Sequence, residues 1–164
     1  MIHPTAIIGD NVQLGEGCSV GPFCVIGGPA EHPREEYKVR GRIIIGSKVV
    51  MTMGVTVDSP LTEEGETIVG DGCYLMAKSH VGHDVKLGKK VTLSTGATIG
   101  GHSIIGDHST IGLKSCTHQR TELAEGTMLG ANSFIKGINK EPFRIFVGSP
   151  AKDIGINQFL LNRL

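Results

Sequence analysis

Aliphatic residues return at every sixth position along most of the chain. The longest series has twelve positions, of which only one is not apolar: Val69, Leu75, Val81, Leu87, Leu93, Ile99, Ile105, Ile111, Thr117, Leu123, Leu129 and Ile135. A period of six differs from that of an amphipathic helix (about 3.6) and of an alternating strand (2), and is typical of a hexapeptide parallel β-helix. In that architecture three hexads close one triangular coil, so residues about eighteen apart lie above one another, roughly 4.8 Å apart. The pattern predicts an all-β solenoid.

The same repeat occupies the N-terminal part of the chain, with two interruptions. The inward positions there are Ile2, Ile8, Leu14, Val20, Ile26, Ile45, Met51 and Val57. Residues 29–42 shift the phase of the repeat by one position, whereas residues 58–68 keep it. Both segments are polar and rich in turn-forming residues, so we expect them to be loops pushed out of the coil.

The last residues lose the period of six. Between 152 and 164 the apolar positions are at roughly helical spacing: Ile154, Ile156, Phe159, Leu160 and Leu164. We predict a β-helix domain of about six to seven coils over residues 1–151. We predict a short C-terminal helix or tail over residues 152–164, packed on the last coil.

The composition argues against nucleic-acid binding and against a membrane-spanning protein. The 164 residues suit one domain, and the net charge of zero without a basic run argues against nucleic acid as a partner. No apolar stretch reaches the length of a membrane span, and the N-terminus has no basic signal-peptide region. Cys18, Cys24 and Cys73 occupy small inward positions, where a reduced thiol behaves as a small apolar group. We therefore expect a cytoplasmic protein with unpaired cysteines.

Histidines gather on one edge when residues eighteen apart are stacked. The hexads that start at Val81, Ile99 and Thr117 lie above one another, and each is followed by polar turn residues. Four of the seven histidines and one carboxylate fall on this edge: His80, His83, Asp84, His102 and His118. Steps of eighteen back from Val81 reach Glu63, in the second loop, and Ile45, just after the first. We therefore expect both loops to emerge beside the histidines.

These residue types suit proton abstraction. A neutral imidazole removes a proton from a hydroxyl or an amine near neutral pH, and a carboxylate that fixes its tautomer improves it. His83 beside Asp84 supplies that pair, and Gly101 stacks above His83, where its backbone N–H would stabilise a developing oxyanion. His108 lies on another face, and we expect it to have no role.

The segment AKSHVGHDVKLGKKVTLSTGATIGGHSIIGDHSTIGLKSCTHQ resembles the UDP-N-acetylglucosamine O-acyltransferases of lipid A synthesis, which are trimeric left-handed β-helix enzymes. The resemblance implies that His83 is the general base, that Asp84 orients it and that the Gly101 N–H binds the oxyanion. It places His80 in the same cleft, and His102, His118 and Gln119 along the acyl and sugar sites. It implies no metal and no tightly bound cofactor.

The C-terminal part both extends and departs from this resemblance. In GINQFLLNR, Asn157 and Arg163 stand where the family contacts uridine and phosphate, whereas Phe159 replaces an acidic contact. Ala131 stands where the family has the glycine that measures the acyl chain, which favours a shorter chain. FVGSPAK resembles the closing motif of coenzyme-A-dependent hexapeptide acetyltransferases.

The segments that precede the histidines also depart from the family. Asp58 replaces a histidine of the family's pattern. The first loop carries charged candidates for a sugar contact, because the family has an acidic–basic pair in its equivalent loop: Arg34, Glu35, Glu36 and Lys38.

Three functional hypotheses remain open. We favour a homotrimeric acyltransferase that moves an acyl group from a thioester, preferably on acyl carrier protein, to a hydroxyl or amine of a nucleotide-linked amino sugar. The alternative within this class is a sugar acetyltransferase that uses acetyl coenzyme A. A zinc hydratase of the γ-type carbonic anhydrase class, with His83, His102 and His118 as ligands, would require stoichiometric zinc. A non-catalytic scaffold would show no thermal stabilisation by nucleotide sugar or thioester.

Overall fold

The computed structural model describes all 164 residues, which wind into three parallel β-sheets that form the walls of a triangular column. Wall 1 contains β1 Ile7–Ile8, β4 Val25–Gly28, β7 Thr56–Asp58, β10 His80–Val81, β13 Thr98–Ile99, β16 Cys116–Thr117 and β19 Phe134–Ile135. Wall 2 contains β2 Val12–Leu14, β5 Arg42–Ile45, β8 Glu66–Val69, β11 Lys86–Leu87, β14 Ile104–Ile105, β17 Glu122–Leu123 and β20 Ile138–Asn139. Wall 3 contains β3 Ser19–Val20, β6 Val50–Met51, β9 Tyr74–Leu75, β12 Thr92–Leu93, β15 Thr110–Ile111, β18 Met128–Leu129, β21 Arg144–Gly148 and β22 Ala151–Ile156.

The predicted left-handed β-helix is confirmed. Each wall has seven parallel strands, one for each coil, and β22 adds an antiparallel strand to wall 3. Each two-residue strand places one side chain outward and one inward, so Ile104 is exposed whereas Ile105 is buried. The inward residues form one continuous core of 26 buried side chains. Neighbouring coils share this core, so each coil stabilises only the coils beside it.

The core also contains the predicted inward cysteines. Cys18, Cys24 and Cys73 are buried, and all four cysteines of the chain are unpaired. The Cys73 thiol donates to the carbonyl oxygen of Gly88 at 3.1 Å. Burial raises the pKa of Cys73 to about 11. The thiol is therefore protonated near neutral pH and behaves as a small packing group.

Both loops leave the column at the turns that join wall 1 to wall 2, which we call the histidine corner. The stacking of Val81, Ile99 and Thr117 is confirmed by their pairing. The predicted positions of Glu63 and Ile45 are wrong, because Val81 pairs with Val57, and Ile45 pairs with Val69 on wall 2. The second loop lies entirely outside the coil, so 24 residues rather than eighteen separate the stacked strands there. The expectation that both loops emerge beside the histidines is nevertheless confirmed, since they follow β4 and β7 on wall 1.

The C-terminal residues fold back on the last coil. Strand β22 pairs antiparallel with β21 and contains Ile154 and Ile156, whose apolar spacing suggested a helix. The only helix, α1, covers Gln158–Leu161, and the Asn157 side chain caps its N-terminus by accepting from the Leu160 N–H. No helix in the structure is long and apolar enough to cross a membrane. The division of the chain at residue 151 stays a prediction.

Candidate active site

His83 and Asp84 contact each other directly at the histidine corner. His83 Nδ1 lies 3.0 Å from Asp84 Oδ2, which also accepts from the backbone N–H of Leu61 at 3.1 Å. The Asp84 backbone N–H donates to the Thr67 hydroxyl at 2.9 Å, so the second loop holds the carboxylate and β8 holds the backbone of Asp84. Because an ionised carboxylate only accepts, Nδ1 carries the proton and Nε2 presents a lone pair. This is the tautomer that a general base requires.

The electrostatics of the corner favour an ionised Asp84 beside a neutral His102. Burial alone raises the pKa of Asp84, but the hydrogen bonds from His83 and Leu61, with the charge of His102, hold it below its ordinary value. Burial lowers the pKa of His102; the Asp84 carboxylate opposes this shift, and His83 and Arg120 add to it. The His83 and His102 rings meet edge to face with centroids 4.9 Å apart. The corner therefore keeps Asp84 negative at neutral pH.

Gly101 lies against the His83 ring with no room for a side chain. A Cβ at this position would be 2.5 Å from His83 Nε2, so only glycine fits. The Gly101 N–H donates to no group of the chain. At the next corner the N–H of Lys89, which like Gly101 stands two residues after an inward residue, donates to the Asp107 carboxylate at 2.8 Å. The histidine corner therefore leaves the Gly101 N–H without a partner in the chain, and Gly101 and His83 line the same cavity.

A cavity of about 500 Å³ opens in front of this pair. Its walls come from strands and turns of the histidine corner and from the first loop: Glu31, His32, Pro33, Arg34, Asp58, His80, Gly82, His83, Thr98, Ile99, Gly100, Gly101 and Gln119. The His32 ring approaches the His83 ring edge to face, with centroids 6.2 Å apart. The cavity is large enough for a sugar ring, and eight of its thirteen lining residues have polar side chains.

A second hollow of about 420 Å³ lies on the wall 2 side of the same corner, where Asp84 and His102 meet Glu64, Glu66 and Lys86. One nitrogen of His83, one of His102 and an Asp84 oxygen lie within 4.8 Å of one another. His118 is not part of this cluster. The three histidines of the zinc hypothesis therefore do not meet within one chain.

Comparisons with known proteins identify the family. The family described as bacterial transferase hexapeptide (six repeats) matches residues 1–28 and 66–101. The acyl-(acyl-carrier-protein)–UDP-N-acetylglucosamine O-acyltransferase of Bartonella henselae is 35% identical over 195 residues, covering 95% of this chain and 70% of the relative. The protein of the same name from Paraburkholderia phymatum is 31% identical over 193 residues, covering 95% of this chain and 73% of the relative. The chain belongs to the UDP-N-acetylglucosamine O-acyltransferase family.

The chain spans little more than half the length of several relatives in the UDP-N-acetylglucosamine O-acyltransferase family. It spans 56% of the Rhizobium leguminosarum bv. trifolii relative, at 31% identity over 156 residues and 93% of this chain. The crystal structure of the family member from Moraxella catarrhalis superimposes with a TM-score of 0.79 at 22% identity, covering 99% of this chain and 77% of that one. This superposition supports the fold.

The structure brings some of the predicted site residues together and leaves others apart. His80, His83, Gly101 and Gln119 line the cavity, whereas Asp84 and His102 line the second hollow. The His118 ring contacts Phe134 edge to face on the outside of wall 1, and its Nδ1 donates to the Gln119 carbonyl oxygen at 3.1 Å.

The remaining three predicted residues lie away from the cavity. Ala131 is exposed at the turn between wall 3 and wall 1. Asn157 is buried, and its amide donates to the Gly126 carbonyl oxygen at 3.1 Å while it caps α1. The Arg163 guanidinium lies 4.0 Å above the Phe159 ring. Their roles as substrate contacts stay predictions, which would require a second copy of the chain.

Three titratable residues of the cavity were not among the predicted site residues: Glu31, His32 and Asp58. Among the charged residues of the first loop, Arg34 lines the cavity, but Glu36 pairs with Lys38 at 3.2 Å and with Arg40 at 3.7 Å. The first loop therefore contributes a different set of charges from the one expected. Asp58 could have been found from the sequence, because it directly follows the inward residue Val57 and so lies where the strand meets the histidine corner.

Gly101→Ala is expected to reduce any acyl transfer by about 100-fold or more, the size of losing one oxyanion donor. The new methyl group would lie too close to His83 Nε2 and push the ring aside. The His83 ring and the Gly101 N–H would then no longer be aligned with each other. Steady-state kinetics with a crystal structure of the variant measure this. Gly96→Ala is the control: it strains a left-handed backbone (φ 72°) at another corner, where the Cβ meets only Lys114, so it lowers stability without touching the cavity. Equal activity of the Gly101 variant and the wild type would contradict the placement.

The free energy of unfolding is expected to fall as the pH drops below about 6.5, in part because of His102. A folded-state pKa below the unfolded value means that the unfolded chain binds the proton first, so acid favours unfolding. The depressed pKa of Asp84 adds a further loss near and below its unfolded value of 3.8. Urea titrations of the wild type and of His102→Gln at several pH values test this. The variant should lose less stability between pH 7.5 and 5; a parallel pH dependence would contradict the assignment.

Proposed function

We propose that the chain transfers an acyl group from a thioester to a hydroxyl or amine of a nucleotide-linked amino sugar. The observation that carries this proposal is the placement of His83 Nε2, free and beside the open Gly101 N–H, at the wall of a polar cavity. Base and oxyanion donor are the two parts that attack on a carbonyl carbon needs. The named activity of the relatives agrees with this chemistry.

In the proposed reaction His83 removes the proton from the attacking hydroxyl or amine as the new bond to the thioester carbon forms. The carbonyl electrons move to oxygen, where the Gly101 N–H stabilises the negative charge. The oxyanion then reforms the carbonyl, the carbon–sulfur bond breaks, and the sulfur leaves with the electron pair. The thiolate takes the proton from the His83 imidazolium, whose charge Asp84 has stabilised at 3.0 Å.

We further propose a homotrimer, because Ala131, Asn157 and Arg163 can join a site only if another copy supplies them. The donor in this proposal is acyl carrier protein, as named for the relatives, with acetyl coenzyme A as the alternative. A place in lipid A biosynthesis and a cytoplasmic location belong to the same proposal.

Transfer assays with the purified chain test the proposal. UDP-N-acetylglucosamine and its amino-sugar analogues are incubated in turn with acyl-acyl carrier proteins of several chain lengths and with acetyl coenzyme A. Release of thiol together with an acylated sugar, detected by mass spectrometry, is the expected result, and Ala131 predicts that shorter acyl chains react faster. An absence of transfer from every donor to every acceptor would end the acyltransferase proposal.

A further inference from the structure

The cavity contains a second histidine–carboxylate pair, His80 and Asp58, which the reaction above does not use. His80 Nε2 lies 3.7 Å from Asp58 Oδ2. His80 Nδ1 is fixed by a contact of 2.8 Å with the Thr56 hydroxyl, its register partner on β7. We propose that the group acylated is an amine, which enters as an ammonium bound by Asp58 and passes a proton to His80. This inference rests on the proposed acyl transfer.

Asp58 is a buried carboxylate that lacks a strong partner. The residue is 7% exposed, and what remains accessible borders the cavity and a smaller hollow behind the first loop. The backbone N–H of Glu31 is directed at it, but no side chain donates a hydrogen bond to it, because His80 Nε2 lies beyond hydrogen-bond distance. A buried carboxylate with a single backbone donor is costly unless a ligand supplies further donors.

The charge around Asp58 also favours a cation. Burial raises the pKa of Asp58; His80 opposes this shift, and the neighbouring Glu31 carboxylate adds to it. Arg34 lines the same cavity but forms no ion pair with Asp58 or with Glu31. An ammonium between the two carboxylates would supply a positive charge and further hydrogen-bond donors together. A hydroxyl would supply one donor and no charge.

Two histidine–carboxylate pairs match the proton balance of amine acylation. An ammonium loses one proton to His80, and the neutral amine then attacks the thioester carbon. His83 takes a second proton from the nitrogen as the carbon–nitrogen bond is completed. The carbon–sulfur bond breaks, and the departing thiolate takes that second proton from His83. The first proton leaves His80 for solvent, and one proton remains on the amide. Hydroxyl acylation moves only one proton and needs only His83.

The experiment compares acceptors that differ in one group. UDP-N-acetylglucosamine and its monoamino analogues, in each of which one ring hydroxyl is replaced by an amine, are assayed with the same thioester. One amine should be preferred in kcat/KM by about tenfold or more, and Asp58→Asn should lower that amine-to-hydroxyl ratio by about tenfold, the size of a charged hydrogen bond. Asp10→Asn is the control, because Asp10 is an exposed carboxylate in a turn of the same corner.

His80→Gln tests the proton transfer separately. Without His80, only acceptor that is already neutral in solution reacts, so kcat/KM for the amine should rise about tenfold for each pH unit below the amine pKa. The wild type should show a flatter dependence. Equal or better transfer to the hydroxyl, an unchanged ratio in Asp58→Asn, or parallel pH profiles would each overturn the inference and leave the acyltransferase proposal standing. No transfer to any acceptor would instead overturn the proposed function.

Discussion

His83→Ala should lower kcat for acyl transfer by about 10²–10⁴-fold, the usual contribution of a positioned general base. The variant loses both the lone pair that faces the cavity and the imidazolium that returns a proton to sulfur. Binding of the nucleotide sugar should change much less than kcat, because twelve other residues still line the cavity. The measurement is kcat and KM for the acceptor at saturating thioester, with circular dichroism to show that the fold is retained.

His108→Ala is the matched control for this variant. His108 occupies a turn at the next corner of the same column and, like His83, is a histidine that follows an inward strand residue. Its loss should leave kcat unchanged. Substantial turnover by the His83 variant would remove His83 from the role of base and would direct attention to His80, the other imidazole that lines the cavity.

Ile105→Asp should unfold the middle of the column. Ile105 is 1% exposed and stacks between Leu87 and Leu123. The change removes an apolar side chain worth about 1.5–3 kcal/mol and buries an unpaired carboxylate that costs several kcal/mol more. A loss of this size is comparable to the whole stability of an ordinary domain. Thermal or urea unfolding monitored by circular dichroism at neutral pH measures the effect.

Ile104→Asp is the matched control, because it places the same substitution one residue earlier in the same strand. Ile104 is 45% exposed, so its replacement should change the free energy of unfolding by about 1 kcal/mol or less. Similar melting temperatures for the two variants would contradict the assignment of inward and outward positions on wall 2.

The sequence predicts the column because the inward side chains obey a strict spatial rule. Three flat walls enclose a narrow interior, so each hexad must supply one aliphatic side chain to the core, as Leu87 and Ile105 do. The same rule places the turn residues that follow each inward position. His83, Asp84 and Gly101 could therefore be brought together before any coordinates were seen, since they occupy adjacent turn positions in successive coils.

The position of the second loop could not be predicted by the same rule. Val57 and Val81 are stacked but 24 residues apart, which exceeds one coil by one complete hexad. An extruded segment of that length leaves the phase of the repeat unchanged, so the sequence cannot distinguish it from a hexad inside the coil. The first loop shifted the phase and was visible for that reason.

The hexapeptide repeat also could not predict which loop residues reach the site. Glu31 and His32 reach the cavity through a segment with no periodic pattern, so neither its path nor its contacts follow from coil geometry. The same holds for the Leu61 N–H that holds Asp84. The C-terminal strand β22 was missed because it pairs antiparallel, outside the parallel stacking that defines the repeat.

Because the coil repeats, each corner offers equivalent positions, and the reacting residues of one corner can be copied to another. Lys89, Lys90 and Asp107 occupy, one corner further along, the positions that His83, Asp84 and Gly101 occupy at the histidine corner. Lys89→His, Lys90→Asp and Asp107→Gly would copy the reacting groups to an edge where neither loop emerges. Such a chain, with the original site silenced by His83→Ala, would separate what the bare scaffold gives to the reaction from what enclosure by the loops adds.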